Sequence, residues 1–483
     1  MTDLRFYNSL SKKVEVFKAR DGKKVRIYNC GPTVYKRQHI GNMRRFLFAD
    51  FLHRTLEYFG YEVNEVMNIT DVGHLTEDEI DEGEDKVEKV AREMRMTPQE
   101  IAKDQIKLFK QDINDLNIMP ATKYPKASEH IEQMQKMISA LIGRGHAYQT
   151  NSGVYFDVQS FAAYGKLSGN TLKDIAAGSR VEVRKEKRHP ADFALWVVDD
   201  KHIQKWDSPW GKGYPGWHIE CSAMSREYLG DDIDIHTGGE DNRFPHHENE
   251  IAQSEGSCGE RFVNMWMHNR HLRMGGKKLA KRQGEQITLD TIRERGYSPL
   301  AFRLLVFGSH YRSRIDFAWD AMDAAQENLE SIKQLLRQLH VTAPVASRTP
   351  EAAEVKIDEP VNEISEFESA LADDLNTPEA LAAFLQYVKK SNTILADSPP
   401  PAQKTTILSH LKEMDEILGI IGPLMSELEA VTLPADIQKL VDQREQARTD
   451  CDFKEADRLR KEILGNGYRL EDDAESGPRI IKI

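Results

Sequence analysis

Residues 25–69, VRIYNCGPTVYKRQHIGNMRRFLFADFLHRTLEYFGYEVNEVMNI, decide the fold. VRIYN (25–29) reads as a short buried strand running into a polar, glycine-containing loop. From Gly41 a helix is predicted, because Phe46, Phe48, Phe51, Leu52, Leu56 and Phe59 form a broad apolar face at helical spacing. Gly60 ends it, since glycine reaches the left-handed backbone at a helix terminus without strain. EVNEVMNI (62–69) is the next strand. Strand, loop, helix and strand in that order open a doubly wound parallel sheet. In such sheets the loop after the first strand binds nucleotide, with phosphate near the following helix N-terminus.

A second unusual stretch runs from Pro215 to Glu255, PGWHIECSAMSREYLGDDIDIHTGGEDNRFPHHENEIAQSE. Pro245 is suited to the first turn of a helix, where a missing N–H costs nothing. In that helix His246 and Glu250 project from one face, about 5–6 Å apart at Cβ. The pair suits two ligands of one metal ion, although the same spacing is also common in solvated surface contacts. Imidazole, carboxylate and thiolate are all accepted by Zn²⁺, so Cys221 upstream and the distant Cys30 add weight to a metal reading.

A chain of 483 residues is too long for one core, and two to four domains are expected. At 40% hydrophobic and 30% charged residues it reads as globular, with no apolar run of membrane-spanning length. The N-terminus MTDLRFYNSL lacks the apolar core of a signal peptide, so the cytoplasm is the expected location. Four scattered cysteines are no disulfide framework and favour ligand or catalytic roles. A net charge of −12 argues against wholesale coating of nucleic acid but leaves local basic patches open.

Asp78 to about Leu116 reads as acidic and helical, and Glu129 to Arg144 as an amphipathic helix. HAYQT–NSG–VYFDV reads as a hairpin, and EVRKEKRH leads to PADFALW. This part is expected to be an insertion between two halves of a nucleotide-binding domain, with the sheet resuming near Gly216. MHNRHLRMGGKKLAKRQGEQITL is read as a strand, a glycine turn and a lysine-rich loop. Ser298-Pro299 reads as a cap and first helical residue, and the chain beyond is helical. VTAPVASRTPEAAEV and ADSPPPAQ are expected loops. From Pro434 a charged helix pair precedes a strand-like tail.

Three motifs then stand in one order: Cys30-Gly31-Pro32-Thr33-Val34-Tyr35 with His39-Ile40-Gly41-Asn42, the stretch from Gly216 to Glu250, and Lys278-Leu279-Ala280-Lys281-Arg282. Each alone is weak; in this order they resemble the cysteinyl-tRNA synthetases, a family of class I aminoacyl-tRNA synthetases. GWHIECSAM and FPHHENEIAQSE are highly specific to it, and the resemblance covers essentially the whole chain. It implies an α/β fold: a Rossmann-type catalytic domain (1–116 and 200–265) with an inserted connective subdomain (117–199). A stem-contact region with the lysine loop (266–318), an α-helical bundle (319–433) and a small C-terminal anticodon-binding domain (434–483) would follow.

The same resemblance implies that Cys30, Cys221, His246 and Glu250 hold one zinc ion per chain. Gly31, Thr70, Trp217, His236 and Asp241 would line the cysteine and adenylate pocket. His39 and Asn42 match the ends of the HIGH signature, and Lys278 and Lys281 match the lysines of KMSKS. Here the signatures read HIGN and KLAKR. Asn42 can still donate a hydrogen bond but carries no charge, and two serine hydroxyls are lost while both lysines remain. His218 and His247 are ligands by chemistry, left as supporting residues on family grounds.

The implied reaction is ATP-dependent ligation of L-cysteine to tRNA(Cys) through a cysteinyl-adenylate, with Mg²⁺ accompanying ATP and the protein acting as a monomer. His39 and the adjoining helix N-terminus would meet the phosphates, and Lys278 and Lys281 would neutralise charge developing toward pyrophosphate. Alternatives are a ligase passing cysteine to a small amine, against which the long helical C-terminus argues, and a side activity as a cysteine persulfide synthase using pyridoxal phosphate. A zinc hydrolase is disfavoured, because four protein ligands leave little room for a reactive water. A purely structural zinc is disfavoured by the two signatures together.

Overall fold

The computed structural model describes residues 3–73, 75–77, 82–172, 186–275, 277–278, 286–340, 361–429, 434–449, 452–473 and 477–482. Seven elements frame the catalytic half: β1 (Lys24–Asn29), α1 (Ile40–Tyr58), β2 (Glu62–Met67), α2 (Trp217–Leu229), β3 (Ile233–Gly239), α3 (His246–Cys258) and β4 (Val263–Asn269). The strands form one sheet in the order β4-β3-β1-β2, all parallel. β2 continues on one side of β1 while β3 lies on the other. The direction of winding therefore reverses at β1, which places a crevice outside the carboxyl ends of β1 and β3.

Most of the apolar face read for α1 is buried: Phe46, Phe48, Phe51, Leu52 and Leu56 are each 3% exposed or less, while Phe59 caps the helix end and is only half-buried. Gly60 adopts φ +86° just past the helix, as its role at the terminus requires. α1 also buries a charge. Asp50 takes an ion pair from Arg303 at 2.6 Å, with both side chains fully buried. Its other oxygen accepts from Met119 N and Arg54 Nε. Arg303 lies on the helix Pro299–Phe307, capped by Ser298 with Pro299 at its first position, as expected.

The inserted segment carries a second, antiparallel sheet. Ala147–Gln149 and Gly153–Phe156 form the expected hairpin, and Phe193–Val198 and Gly213–Pro215 extend it. The sheet thus runs on to Pro215, past residue 199 where the insertion was expected to end. The stretch from Asp78 also differs from its reading, since a strand pair, Leu75–Glu77 with Glu82–Asp85, precedes the helices Lys86–Met94 and Pro98–Asp115. Pro245 stands one residue before α3 rather than in its first turn.

Beyond residue 340, VTAPVASRTPEAAEV lies outside the described residues, as does part of EVRKEKRH. Of ADSPPPAQ, Pro401 onward is already helix, with proline at its first position where no N–H is needed. Two compact units result: Met1–Gln326 with Ser365–Ala382, and Glu327–Ile364 with Ala383–Ile483. In the first, Asp373 bridges Arg5, and the Asp374 carboxylate accepts from Tyr7 N (2.7 Å) and Tyr311 Oη (2.5 Å). In the second, the helices Ala435–Thr449 and Phe453–Gly465 and the strand Tyr468–Asp473, which pairs with Gly477–Lys482, share a small core of Ile437, Val441, Ile463, Tyr468 and Leu470. Among the described residues no helix is long and apolar enough to cross a membrane.

Candidate active site and metal centre

Cys30 is the residue immediately after β1, and Gly31 follows where β1 and β2 nearly touch. A Cβ on Gly31 would lie 1.6 Å from the Asn68 carbonyl oxygen, so only glycine fits. Asn68 also accepts from Gly31 N (2.7 Å) and donates to Thr70 Oγ1 (3.0 Å), which in turn donates to the buried Glu220 carboxylate (3.0 Å). The exits of β1 and β2 are thereby stitched to α2. α2 begins at Trp217 and buries Cys221; α3 begins at His246 and buries Glu250 one turn later.

These elements bring the donor atoms of Cys30, Cys221, His246 and Glu250 within 4.8 Å of one another, all four residues buried. His246 Nε2 lies 3.0 Å from Glu250 Oε1, and Cys30 Sγ lies 3.9 Å from the same oxygen. The donor atoms of a second grouping, Cys30, His236, His247 and Glu250, also lie within 4.8 Å of one another. In it His236 Nε2 is bonded to Glu250 Oε2 at 2.8 Å, and His247 spans from Cys30 Sγ (3.2 Å) to His268 (2.8 Å). His218 Nδ1 meets His246 Nδ1 at 2.7 Å, which turns the other nitrogen of His246 toward Glu250.

The protonation of these groups follows from burial and from one another. The Cys221 thiol is pushed far up, first by its hydrogen bond with Cys30 and then by burial, and burial raises Cys30 as well. Burial draws His246 down, but Glu250 and Cys221 outweigh it and hold its pKa at about 10. For Glu250 burial acts upward, and the His236 and His246 imidazoles prevail, leaving it at about 2. The protein groups by themselves thus settle as an imidazolium and a carboxylate beside two neutral thiols. Their protons occupy the lone pairs that a doubly charged cation would take, and such a cation reverses the preference by deprotonating a coordinating thiol outright. Two thiols, one imidazole and one carboxylate at this separation fit a four-coordinate zinc ion.

A cavity of about 530 Å³ opens over this cluster. Gly31, Thr70, Trp217 and Asp241 line it, together with His39, Asn42 and three of the four donor residues, Cys30, Cys221 and His246. His236 does not. It is fully buried and hydrogen-bonded to Glu250, so the expectation that it lines the pocket is corrected to a supporting position behind the wall. His39 caps α1, accepting from Asn42 N at 3.3 Å, and the Asn42 amide donates to Gln38 at 2.6 Å. Lys278 pairs in a short strand with Arg273, and its side chain lies outside the described residues, as does all of Lys281. Lys36 bonds Gln286 and Ile40 N bonds Ile287 O, so the loop before α1 is tied to the residues that follow the lysine segment.

Sequence reasoning missed Asn68, Glu220 and Arg45. Asn68 and Glu220 are buried polar residues whose signal is visible only once the strand ends are placed side by side.

The comparisons with known proteins agree with this geometry. The family model for tRNA synthetases class I (C) catalytic domain matches residues 16–327, and the DALR domain matches residues 366–422. The cysteine–tRNA ligase of Treponema denticola is 39% identical over 98% of both chains. That of Thermus thermophilus is 40% identical over 99% of this chain and 98% of its own. Among solved structures, a Mycobacterium tuberculosis methionyl-tRNA synthetase superposes with a TM-score of 0.58 at 12% identity, covering 84% of this chain and 91% of that one. That likeness concerns the fold alone. With the near-full-length relatives, it leaves one conclusion: the chain belongs to the class I aminoacyl-tRNA synthetases, as a member of the cysteine–tRNA ligase family.

Proposed function

We propose that this enzyme activates L-cysteine with ATP and Mg²⁺ as cysteinyl-adenylate, passes the cysteinyl group to the terminal ribose of tRNA(Cys), and selects the amino acid with one zinc ion held by Cys30, Cys221, His246 and Glu250. The observation that carries this reading is that three of those donors line the cavity that His39 and Asn42 also line. Thiol selection and nucleotide chemistry then share one chamber. The alternative donor grouping shares Cys30 and Glu250 but puts His236 and His247 in place of Cys221 and His246, so only one of its four donors, Cys30, lines that cavity.

His39 and the N-terminus of α1 meet the phosphates, and Lys278 and Lys281 offset charge developing toward pyrophosphate. The nucleophile, a carboxylate, is already ionised, so no general base is required. Gly31, Thr70, Trp217 and Asp241 hold the amino acid; His236 keeps Glu250 in place. Shape alone separates cysteine from serine by only ~1–3 kcal/mol, whereas rejection by a factor of ~10⁴ needs about 5.5 kcal/mol. When bound, zinc supplies the difference, because a thiol ionises readily beside it and an alcohol does not. The protein acts as a monomer, and residues 434–483 contact the anticodon region of the tRNA.

The test is cysteine-dependent ATP–pyrophosphate exchange with metal analysis of wild type, Cys221→Ser and His246→Ala. About one zinc per chain, lost in both variants together with the preference for cysteine over serine, is expected. A folded, zinc-free variant that still rejects serine would sink the reading.

A further inference from the structure

Two thiolates and a carboxylate around a doubly charged ion leave the Cys30–Cys221–His246–Glu250 set with one surplus negative charge, and a substrate thiolate beside it adds another. Buried surplus charge is costly unless an opposite charge stands close by. Lys36, Arg37, Arg45 and Arg270 are the lysine and arginine side chains lining the cavity among the described residues. Arg37 is paired with Asp112 (2.7 Å) and Asp290 (3.0 Å), and Arg270 with Glu240 (2.6 Å). Lys36 bonds Gln286 at 3.0 Å.

Arg45 is placed differently. Its guanidinium donates to the Gly31 carbonyl (3.0 Å) and reaches Asn242 Oδ1 (3.5 Å), both neutral acceptors, and lies 4.9 Å from the Phe46 ring centre. Its Nε is buried without a hydrogen-bond partner, and among the described residues no carboxylate forms an ion pair with it. Gly31 directly follows Cys30, and Asn242 directly follows Asp241, so both anchors belong to the pocket.

We propose that Arg45 is a positioning residue of the amino-acid pocket, its fixed positive charge offsetting the surplus negative charge of the ligand set so that cysteine binds there as the thiolate. This rests on the zinc reading above. A unit charge held close to an anion at an effective dielectric of ~20 alters its binding by roughly 30-fold or more.

The experiment is calorimetric binding of cysteine and of cysteinamide, which lacks the carboxylate, to zinc-loaded wild type, Arg45→Gln and Arg45→Lys. Zinc affinity is followed by chelator competition. Thermal unfolding checks each fold, and Arg45→Met, which keeps the stem against Phe46, is the second neutral variant. Arg45→Gln is expected to weaken both ligands by about 30-fold, with kcat for exchange changed far less than the KM for cysteine, and Arg45→Lys to restore most of the loss. Unchanged affinity in the neutral variants with full zinc would overturn the role of Arg45 alone. A loss confined to cysteine would overturn it too, making Arg45 a carboxylate contact. Wild type without zinc would overturn the zinc reading beneath it.

Discussion

His218 and His246 meet nitrogen to nitrogen at 2.7 Å, so one of the two Nδ1 atoms must carry the proton and the other must accept it. With His246 bound to a cation through Nε2, its Nδ1 is the donor and His218 the acceptor. Such a partner fixes both tautomer and ring orientation. His218→Ala is expected to lower zinc affinity by about 10–100-fold in a chelator competition while leaving secondary structure intact. An unchanged affinity would show that packing against Trp217, 4.6 Å between ring centres, suffices to hold His246.

The Asp50–Arg303 pair joins α1 to the helix Pro299–Phe307 through two fully buried side chains. Asp50→Ala leaves a buried guanidinium without its counter-charge, and a loss of about 3–5 kcal/mol is expected in denaturant unfolding. Asp50→Leu with Arg303→Met should cost less than Asp50→Ala, since neither charge then remains. A double variant as unstable as the single one would assign the loss to packing.

Asp112 offers a pH signature. Burial lifts its carboxyl to about 7 against the pull of Arg37, and one of its oxygens has no hydrogen-bond donor. The folded protein therefore holds this proton more tightly than the unfolded chain, whose value is near 3.8. Between about pH 4 and pH 7 unfolding releases the proton, so this group's contribution to stability falls as pH rises through that window. Subtracting Asp112→Asn melting curves from those of the wild type should isolate a decline across it, on the order of a few °C. Parallel curves would mean that Asp112 is ionised throughout.

Truncation after residue 433 removes the helix pair, which shares a small core with the strand Tyr468–Asp473, and the strand paired with it. Cysteine-dependent exchange should survive, while the KM for tRNA should rise by at least about tenfold, the loss of roughly 1.4 kcal/mol of contact energy. Charging should also weaken steeply with salt, because phosphate contacts release counterions. Normal charging by the truncated protein would exclude the tail from tRNA recognition.

The parallel sheet was legible because α1 carries its apolar residues at one period and is flanked by two short strand-like runs, Val25-Arg26-Ile27-Tyr28 and Val63-Asn64-Glu65-Val66-Met67. Gly213–Pro215 was not, since glycine and proline are poor strand formers and the pairing comes from Phe193–Val198 alongside. Within the site, only His246 and Glu250 announce themselves by spacing. Cys30 and Cys221 are 191 positions apart in the chain and meet through topology, which local pattern does not encode. The family resemblance supplied that link. Arg45 stayed hidden because its neighbours in sequence, Met43, Arg44 and Phe46, are buried core residues, and nothing local separates a pocket-facing arginine from an ordinary helix-surface one.

Asp374 has a consequence for modularity. The catalytic family match ends at residue 327, yet Tyr7 N and Tyr311 Oη both donate to a carboxylate that lies 47 positions further on. A fragment cut at that boundary would strip an acceptor from the buried Tyr311 hydroxyl and the half-buried Tyr7 N–H, and the Asp373 bridge from Arg5, loosening both ends of its own chain. The catalytic module is thus discontinuous in sequence, and it borrows its last brace from inside the helical region.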